Sequence, residues 1–152
     1  MSFQVIKTIT HEQGWSVAFR QHKASSHCRF LHGYALSCEM IFEADTLDDR
    51  NWVIDFGQFK SLRKNLEEFF DHKTVIAEDD PCRLQFRELE TEGALELRIL
   101  PKVGCEAFAE HIAKLTMEWM KLEHEIRIRN SVKLVSVEVR EHGSNGARYL
   151  CH

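Results

Sequence analysis

Residues 27–42 read HCRFLHGYALSCEMIF, and two patterns overlap in them. His32, Tyr34, Leu36, Cys38, Met40 and Phe42 recur at every second position, which puts them on one face of an extended strand running from Leu31 to Phe42. At the head of that strand, His22, His27, Cys28 and His32 place three imidazoles and a thiol close together in the chain. The first pattern bears on the fold and the second on the chemistry.

Working outward, Phe3 to Ile9 and Trp15 to Gln21 read as two earlier strands, with Lys23 to His27 as the loop between the second strand and the third. Asn51 to Ile54 is a short strand candidate. Asp55, with Gln58 three residues on, resembles a capping box ahead of a helix that carries Phe59, Leu62, Leu66 and Phe69 and ends near Asp71. Gln85 to Glu90 and Leu95 to Leu100 flank a Thr-Glu-Gly turn and read as a hairpin. A second helix runs from Cys105 to Glu123 with Phe108, Ile112, Leu115, Trp119 and Leu122 on one stripe. Val132 to Arg140 alternates as the final strand. This order is α+β, with two helices covering one face of an antiparallel sheet and the opposite face needing another cover.

A chain of 152 residues without a Pro-, Gly- or Ser-rich linker or an internal repeat reads as a single domain spanning 1–152. The formal charge of −4, with both signs interspersed, argues against a sequence-independent grip on nucleic acid. No apolar run approaches the roughly 20 residues that span a bilayer, and Met1 to Thr10 lacks the pattern of a signal peptide. The expected location is cytoplasmic, with no membrane partner. Five cysteines, an odd number without CxxC spacing, fit neither a disulfide framework nor a four-sulfur zinc site.

Zinc accepts three neutral imidazoles and keeps a fourth position for water or substrate oxygen, so the histidines around Cys28 are candidate ligands; the plainer alternative is a set of loop histidines. Cys28 beside a cation would have thiolate character and serve as base or nucleophile, or it is an inert thiol. Cys38, Cys82, Cys105 and Cys151 lack such a neighbourhood. Asp71 and His72 follow the first helix, where a carboxylate can orient an imidazole for proton transfer, although a helix-terminal polar residue needs no such role. Glu141 lies before a Gly-Ser-Asn-Gly turn, where a carboxylate can accept paired N–H donors from a heterocycle.

Together these pieces resemble the 6-pyruvoyl and 6-carboxytetrahydropterin synthase family over most of the chain. Cys28-Arg-Phe-Leu-His32-Gly is similar to its Cys-x3-His-Gly-His segment, Val53-Ile-Asp-Phe56 to its Met-Asp-Phe, and Asp71-His72-Lys73 to its Asp-His-Lys. Cys105-Glu106-Ala107 resembles its Thr-x-Glu-Asn, and Val139-Arg-Glu141 through Ala147-Arg-Tyr149 its closing Glu-Thr-x-x-x-x-Ala-x-Tyr. The resemblance implies a tunnelling fold: a four-stranded antiparallel sheet with two helices per subunit, closed into a barrel by oligomerisation, typically a homohexamer with active sites between subunits. It implies 7,8-dihydroneopterin triphosphate as substrate and zinc as cofactor. Cys28 would be the proton-transferring thiolate, Asp71 and His72 an acid–base pair, His32 a zinc ligand, Glu141 the anchor of the pterin ring and Glu106 a further substrate-binding residue.

The three-residue gap between Cys28 and His32 resembles the 6-carboxytetrahydropterin synthases of queuosine and 7-deazaguanine synthesis, which release acetaldehyde and triphosphate. The alternatives are the 6-pyruvoyl reaction and a non-catalytic binder of pterin or purine. Tyr34 stands where the family has its second strand histidine. The first-strand histidine is also displaced, with His22 as the positional candidate. His27 supplies an extra imidazole, so the expected ligand set is His22, His27 and His32.

Overall fold

The computed structural model describes residues 1–123, 126 and 131–152. Its axis is β3 (His32–Ala44), the strand anticipated from the alternation. Along one edge, β3 pairs antiparallel first with β2 (Trp15–Phe19) and then with β1 (Phe3–Ile9). Its other edge carries β6 (Lys133–His142), followed by β7 (Asn145–Leu150). Beyond β2 lie β4 (Lys73–Ala77) and β5 (Leu97–Leu100), both parallel to their neighbours. Among the described residues the sheet is therefore seven-stranded and mixed, rather than four-stranded and antiparallel.

The apolar face of β3 is buried through Leu36, Cys38, Met40, Phe42 and Ala44. Two helices cover it, as the apolar stripes predicted. A 3-10 turn, Phe56–Gln58, leads into α1 (Phe59–Phe70), which buries Phe59, Leu62, Leu66 and Phe70. Asp55 caps that turn, accepting from the Gly57 N–H at 2.8 Å, so its partner is one residue nearer than in the expected capping box. The helix spanning Cys105–Leu122, which we label α3, buries Phe108, Ile112 and Trp119 as expected, while Leu122 is exposed. α1 packs on β2 and β4, α3 packs on β6 and β7, and the two helices touch. Ring contacts close the layer: Trp15 stacks on Phe70 at 5.4 Å between centroids, and Phe59 on Trp119 at 5.4 Å. Burying each such side chain stabilises the fold by about 1.5–3 kcal/mol.

Two expected strands take other forms. Gln85 to Glu90 lies inside α2 (Arg83–Thr91), and the supposed hairpin turn is that helix's C-terminal cap. Gly93 has φ +76°, its N–H bonds the Glu90 carbonyl at 3.0 Å, and the Ala94 N–H bonds the Leu89 carbonyl at 2.9 Å. This is the Schellman arrangement, which favours glycine at the left-handed position. Asn51 to Ile54 forms turns rather than a strand, with Asn51 at φ +64°. β4 and β7 were not anticipated.

Residues alternate across a strand, so Ile76 faces away from the side to which Val75 and Ala77 belong. Ile76 packs with Phe86 of α2 and Leu97 of β5 in a separate small cluster. α2 thus covers part of the second face, for which the family resemblance implied a cover only from neighbouring subunits.

Candidate active site

The site grows from the end of β2 and the start of β3. Phe19 is the cross-strand partner of His32, and Tyr34 follows two residues later on the same face. Their rings form a triangle: Phe19 to His32 is 5.5 Å, Phe19 to Tyr34 6.0 Å and His32 to Tyr34 5.4 Å between centroids. Phe19 is buried and meets Phe108 of α3 edge-on at 5.1 Å. His32 Nδ1 lies 2.6 Å from the Phe30 carbonyl. A carbonyl only accepts, so Nδ1 carries the proton and, in the neutral ring, Nε2 keeps its lone pair.

Cys28 lies in a 3-10 turn, His27–Arg29, capped by the Ser26 hydroxyl on the Cys28 N–H. Gln21 ties this turn to the rest of the site. Its N–H donates to the Cys28 carbonyl at 2.9 Å, and its side-chain amide donates to the Val103 carbonyl at 2.7 Å, at the start of α3. Gly104, at φ +107°, makes room for that amide, because a Cβ there would overlap the Gln21 nitrogen.

Cys105, the first residue of α3, is thereby brought close to β6. Burial, and then the carboxylates of Glu141 and Glu106, push its thiol up to about 12, so it is a neutral thiol at physiological pH. Tyr34 is raised in the same way, first by burial and then by the negative charge of Glu141. Tyr34 and Cys105 thus both lie within electrostatic reach of Glu141. Glu141 falls in a register irregularity of the β6–β7 ladder between Arg140 and His142, the kind of bulge that re-aims a side chain. His142, the next residue, brings its ring within 6.2 Å of Tyr34.

Asp71 and His72 form a pair elsewhere. Asp71 accepts the Ser16 N–H at 3.0 Å and meets His72 Nδ1 at 3.0 Å. Burial raises the Asp71 carboxyl, but the Ser16 N–H and the His72 imidazole outweigh it and leave the pKa lowered. His72 is held at φ +57° by its N–H bond to the Ser16 carbonyl, and its side chain projects into solvent, 82% exposed. Ser16 lies three residues before Phe19, so this pair is roughly 10 Å along the strand from the aromatic triangle.

The expected zinc ligands are not assembled. His22 faces Asp79 at 3.5 Å and Asp80 at 3.9 Å. His27 is exposed on the 3-10 turn, and His32 faces Phe19 and Tyr34. Among the described residues, no three His, Cys, Asp or Glu side chains are grouped to hold a metal ion. The residue of β2 that faces His32 is Phe19, not His22, because the ladder register fixes Phe19 opposite it. Phe19, Gln21 and Cys105 are the site residues that sequence reasoning did not assign. Phe19 alternates with Val17 and Trp15, a clue that becomes a contact only once the strand register is known.

A groove of about 360 Å³ between β1 and residues 51–56 is lined by apolar side chains including Phe3, Leu47, Trp52 and Phe56. It flanks the opposite end of β3 from Cys28, since Phe3 pairs with Ala44.

The fold is thus a mixed sheet backed by helices, with Tyr34 meeting His32 and His142 where the central hairpin approaches the final strand. The profile of the family described as 6-pyruvoyl tetrahydropterin synthase matches residues 8–151, and the chain belongs to that family. It is 29% identical to the 6-carboxy-5,6,7,8-tetrahydropterin synthase of Aquifex aeolicus, over 98% of each chain. It is also 31% identical to the enzyme of the same name from Rickettsia bellii, over 49% of this chain and 51% of that one. The fold is shared with an uncharacterized protein from Wolinella succinogenes, at TM-score 0.75 and 19% identity, covering 100% of this chain and 99% of that one. It is likewise shared with a catalytic-residue mutant of the Plasmodium vivax 6-pyruvoyltetrahydropterin synthase, at TM-score 0.73 and 15% identity, covering 98% and 97%.

Proposed function

We propose that the chain is a 6-carboxytetrahydropterin synthase, a lyase converting 7,8-dihydroneopterin triphosphate to 6-carboxytetrahydropterin with release of acetaldehyde and triphosphate. The observation that carries this is the 29% identity over 98% of each chain with a 6-carboxytetrahydropterin synthase, and the meeting of Tyr34 with His32 of β3 and His142 of β6 gives the site its geometry. Glu141, turned by the bulge, accepts the paired N–H donors on the edge of the pterin ring, with Glu106 beside it at the head of α3. Cys28, held by Gln21, moves protons at the substrate side chain. Cys105, buried and neutral, lines the pocket without acting as base.

Asp71 and His72 supply the second acid–base pair. Their separation along the strand from the Phe19–His32–Tyr34 rings fits an active site between subunits of a homo-oligomer, in which one protomer's Asp71–His72 serves its neighbour's Cys28. The product would feed queuosine or other 7-deazaguanine synthesis in the cytoplasm. No step is assigned to zinc, because the side chains present do not form its site.

The test is incubation of the purified protein with 7,8-dihydroneopterin triphosphate and identification of all products. Carboxytetrahydropterin with acetaldehyde supports the proposal, whereas a pyruvoyl product without acetaldehyde replaces it with the sister reaction. A second function, binding of a pterin or purine without turnover, is favoured by one observation: Phe19 and Tyr34 stand at the ring positions next to His32. Unchanged substrate despite tight binding selects it.

A further inference from the structure

The distances in the aromatic triangle carry information about metal. Imidazoles sharing a tetrahedral zinc at about 2.1 Å have ring centres roughly 5 Å apart. Phe19, His32 and Tyr34 have centroid separations of 5.5, 6.0 and 5.4 Å, so the backbone of this hairpin holds three rings close to the arrangement that a three-histidine site requires. The scaffold is present, but two of its three ring positions lack an imidazole, and the nearby His142 ring stands 6.2 Å from Tyr34 rather than at either of them. Phe19 offers no lone pair, and it is buried against Phe108 as part of the hydrophobic core. His32 has the kind of hydrogen bond that usually orients a ligating imidazole, Nδ1–H to the Phe30 carbonyl at 2.6 Å, yet it is the only imidazole of the three. Neither remaining histidine of the expected set compensates: His22 faces Asp79 and Asp80, and His27 lies exposed on the 3-10 turn.

We propose that the Phe19–His32–Tyr34 position is a metal-free form of a three-histidine site, in which ring packing takes over the positioning of His32. The proposal rests on placing the active site at this hairpin, but not on which reaction is performed there. His32 Nε2 is left as a hydrogen-bond acceptor and the Tyr34 hydroxyl as a donor, a pair suited to neighbouring hydroxyls of a polyol side chain. Recognition there depends on hydrogen bonds instead of Lewis-acid contact.

The experiment needs no substrate. The native protein is expressed with added zinc, dialysed and analysed for metal, beside His32→Ala and the double variant Phe19→His/Tyr34→His. The expected result is less than a tenth of a zinc per native chain. The native melting temperature should be unmoved by zinc or EDTA, and the double variant should gain about one zinc per chain with a tetrahedral cobalt spectrum on substitution. About one zinc per native chain that is lost in His32→Ala overturns the proposal. Zinc retained undiminished in His32→Ala places the ion elsewhere and sustains it. The native measurement decides even if the double variant fails to fold. Failure here is separable from failure of the proposed reaction: zinc at His32 together with carboxytetrahydropterin formation refutes only the metal-free site. A zinc-free protein that binds pterin without turnover refutes only the reaction.

Discussion

Phe19 of β2 lies directly across the ladder from His32 of β3, with their ring centroids 5.5 Å apart and tilted by 41°. A core residue and a site residue therefore share one contact, and substitution of the first should be felt at the second. Phe19→Ala is expected to destabilise the protein by about 3–5 kcal/mol, since a large buried ring is lost next to Phe108. Denaturant unfolding measures this, and a cost below about 1 kcal/mol would show that the ring is not packed as described.

Cys28→Ala should reduce turnover by about 10²–10⁴-fold, the usual worth of a positioned proton-transfer group. Its melting temperature should stay close to native, because the side chain is only half-buried in a surface turn. Steady-state kinetics beside a thermal melt separates the two effects. Retained turnover would remove the thiol from the mechanism.

Glu141→Gln keeps the size of the side chain but replaces one accepting oxygen with a donor. Pterin affinity should fall by about 1.5–3 kcal/mol, roughly tenfold or more, as for a charged hydrogen bond lost. Fluorescence titration with a stable oxidised pterin reads it, and an unaltered dissociation constant would count against the anchor.

Gly104→Ala is predicted to cost about 1–3 kcal/mol, since φ +107° is strained for any side chain. The new Cβ would also displace the Gln21 amide from Val103 and loosen the turn that holds Cys28. Turnover should fall more than stability alone explains. Equal, small losses in Gly104→Ala and Gln21→Ala would show that the linkage has no role in catalysis.

Asp80 governs part of the acid limb of stability. Its side chain is fully buried and accepts two bonds from Arg20, at 2.8 and 2.7 Å, and its pKa is lowered first by that guanidinium. A carboxyl lowered on folding stabilises the protein above its unfolded value of about 3.9, and the contribution is lost as pH falls through the lower folded value. Asp80→Asn should cost about 3–5 kcal/mol at neutral pH by leaving Arg20 without its anion. The difference from native should shrink below about pH 4. A pH-independent difference in urea midpoints would contradict this.

The strand through Leu36, Cys38, Met40 and Phe42 was legible because period-two alternation is written in the chain itself. So were α1 and α3, whose stripes recur at helical spacing. Gln85 to Glu90 was not, because α2 buries only Phe86 and the Thr-Glu-Gly segment that caps it has the composition of a hairpin turn. At the site, the roles proposed for Cys28 and Glu141 come from motifs that are contiguous in sequence. The choice between Phe19 and His22 required the β2–β3 register, which is a property of two strands together, and the pairing of Gln21 with Val103 spans a separation that no local pattern encodes.

The most direct measurement is a crystal structure with a stable pterin bound. The ring is expected beside Tyr34 and Cys28, with both Glu141 oxygens about 2.7–3.0 Å from ring N–H groups. A pterin lodged instead in the apolar groove between Phe3 and Phe56, with the pocket around Glu141 unaltered, would contradict the assignment of the active site.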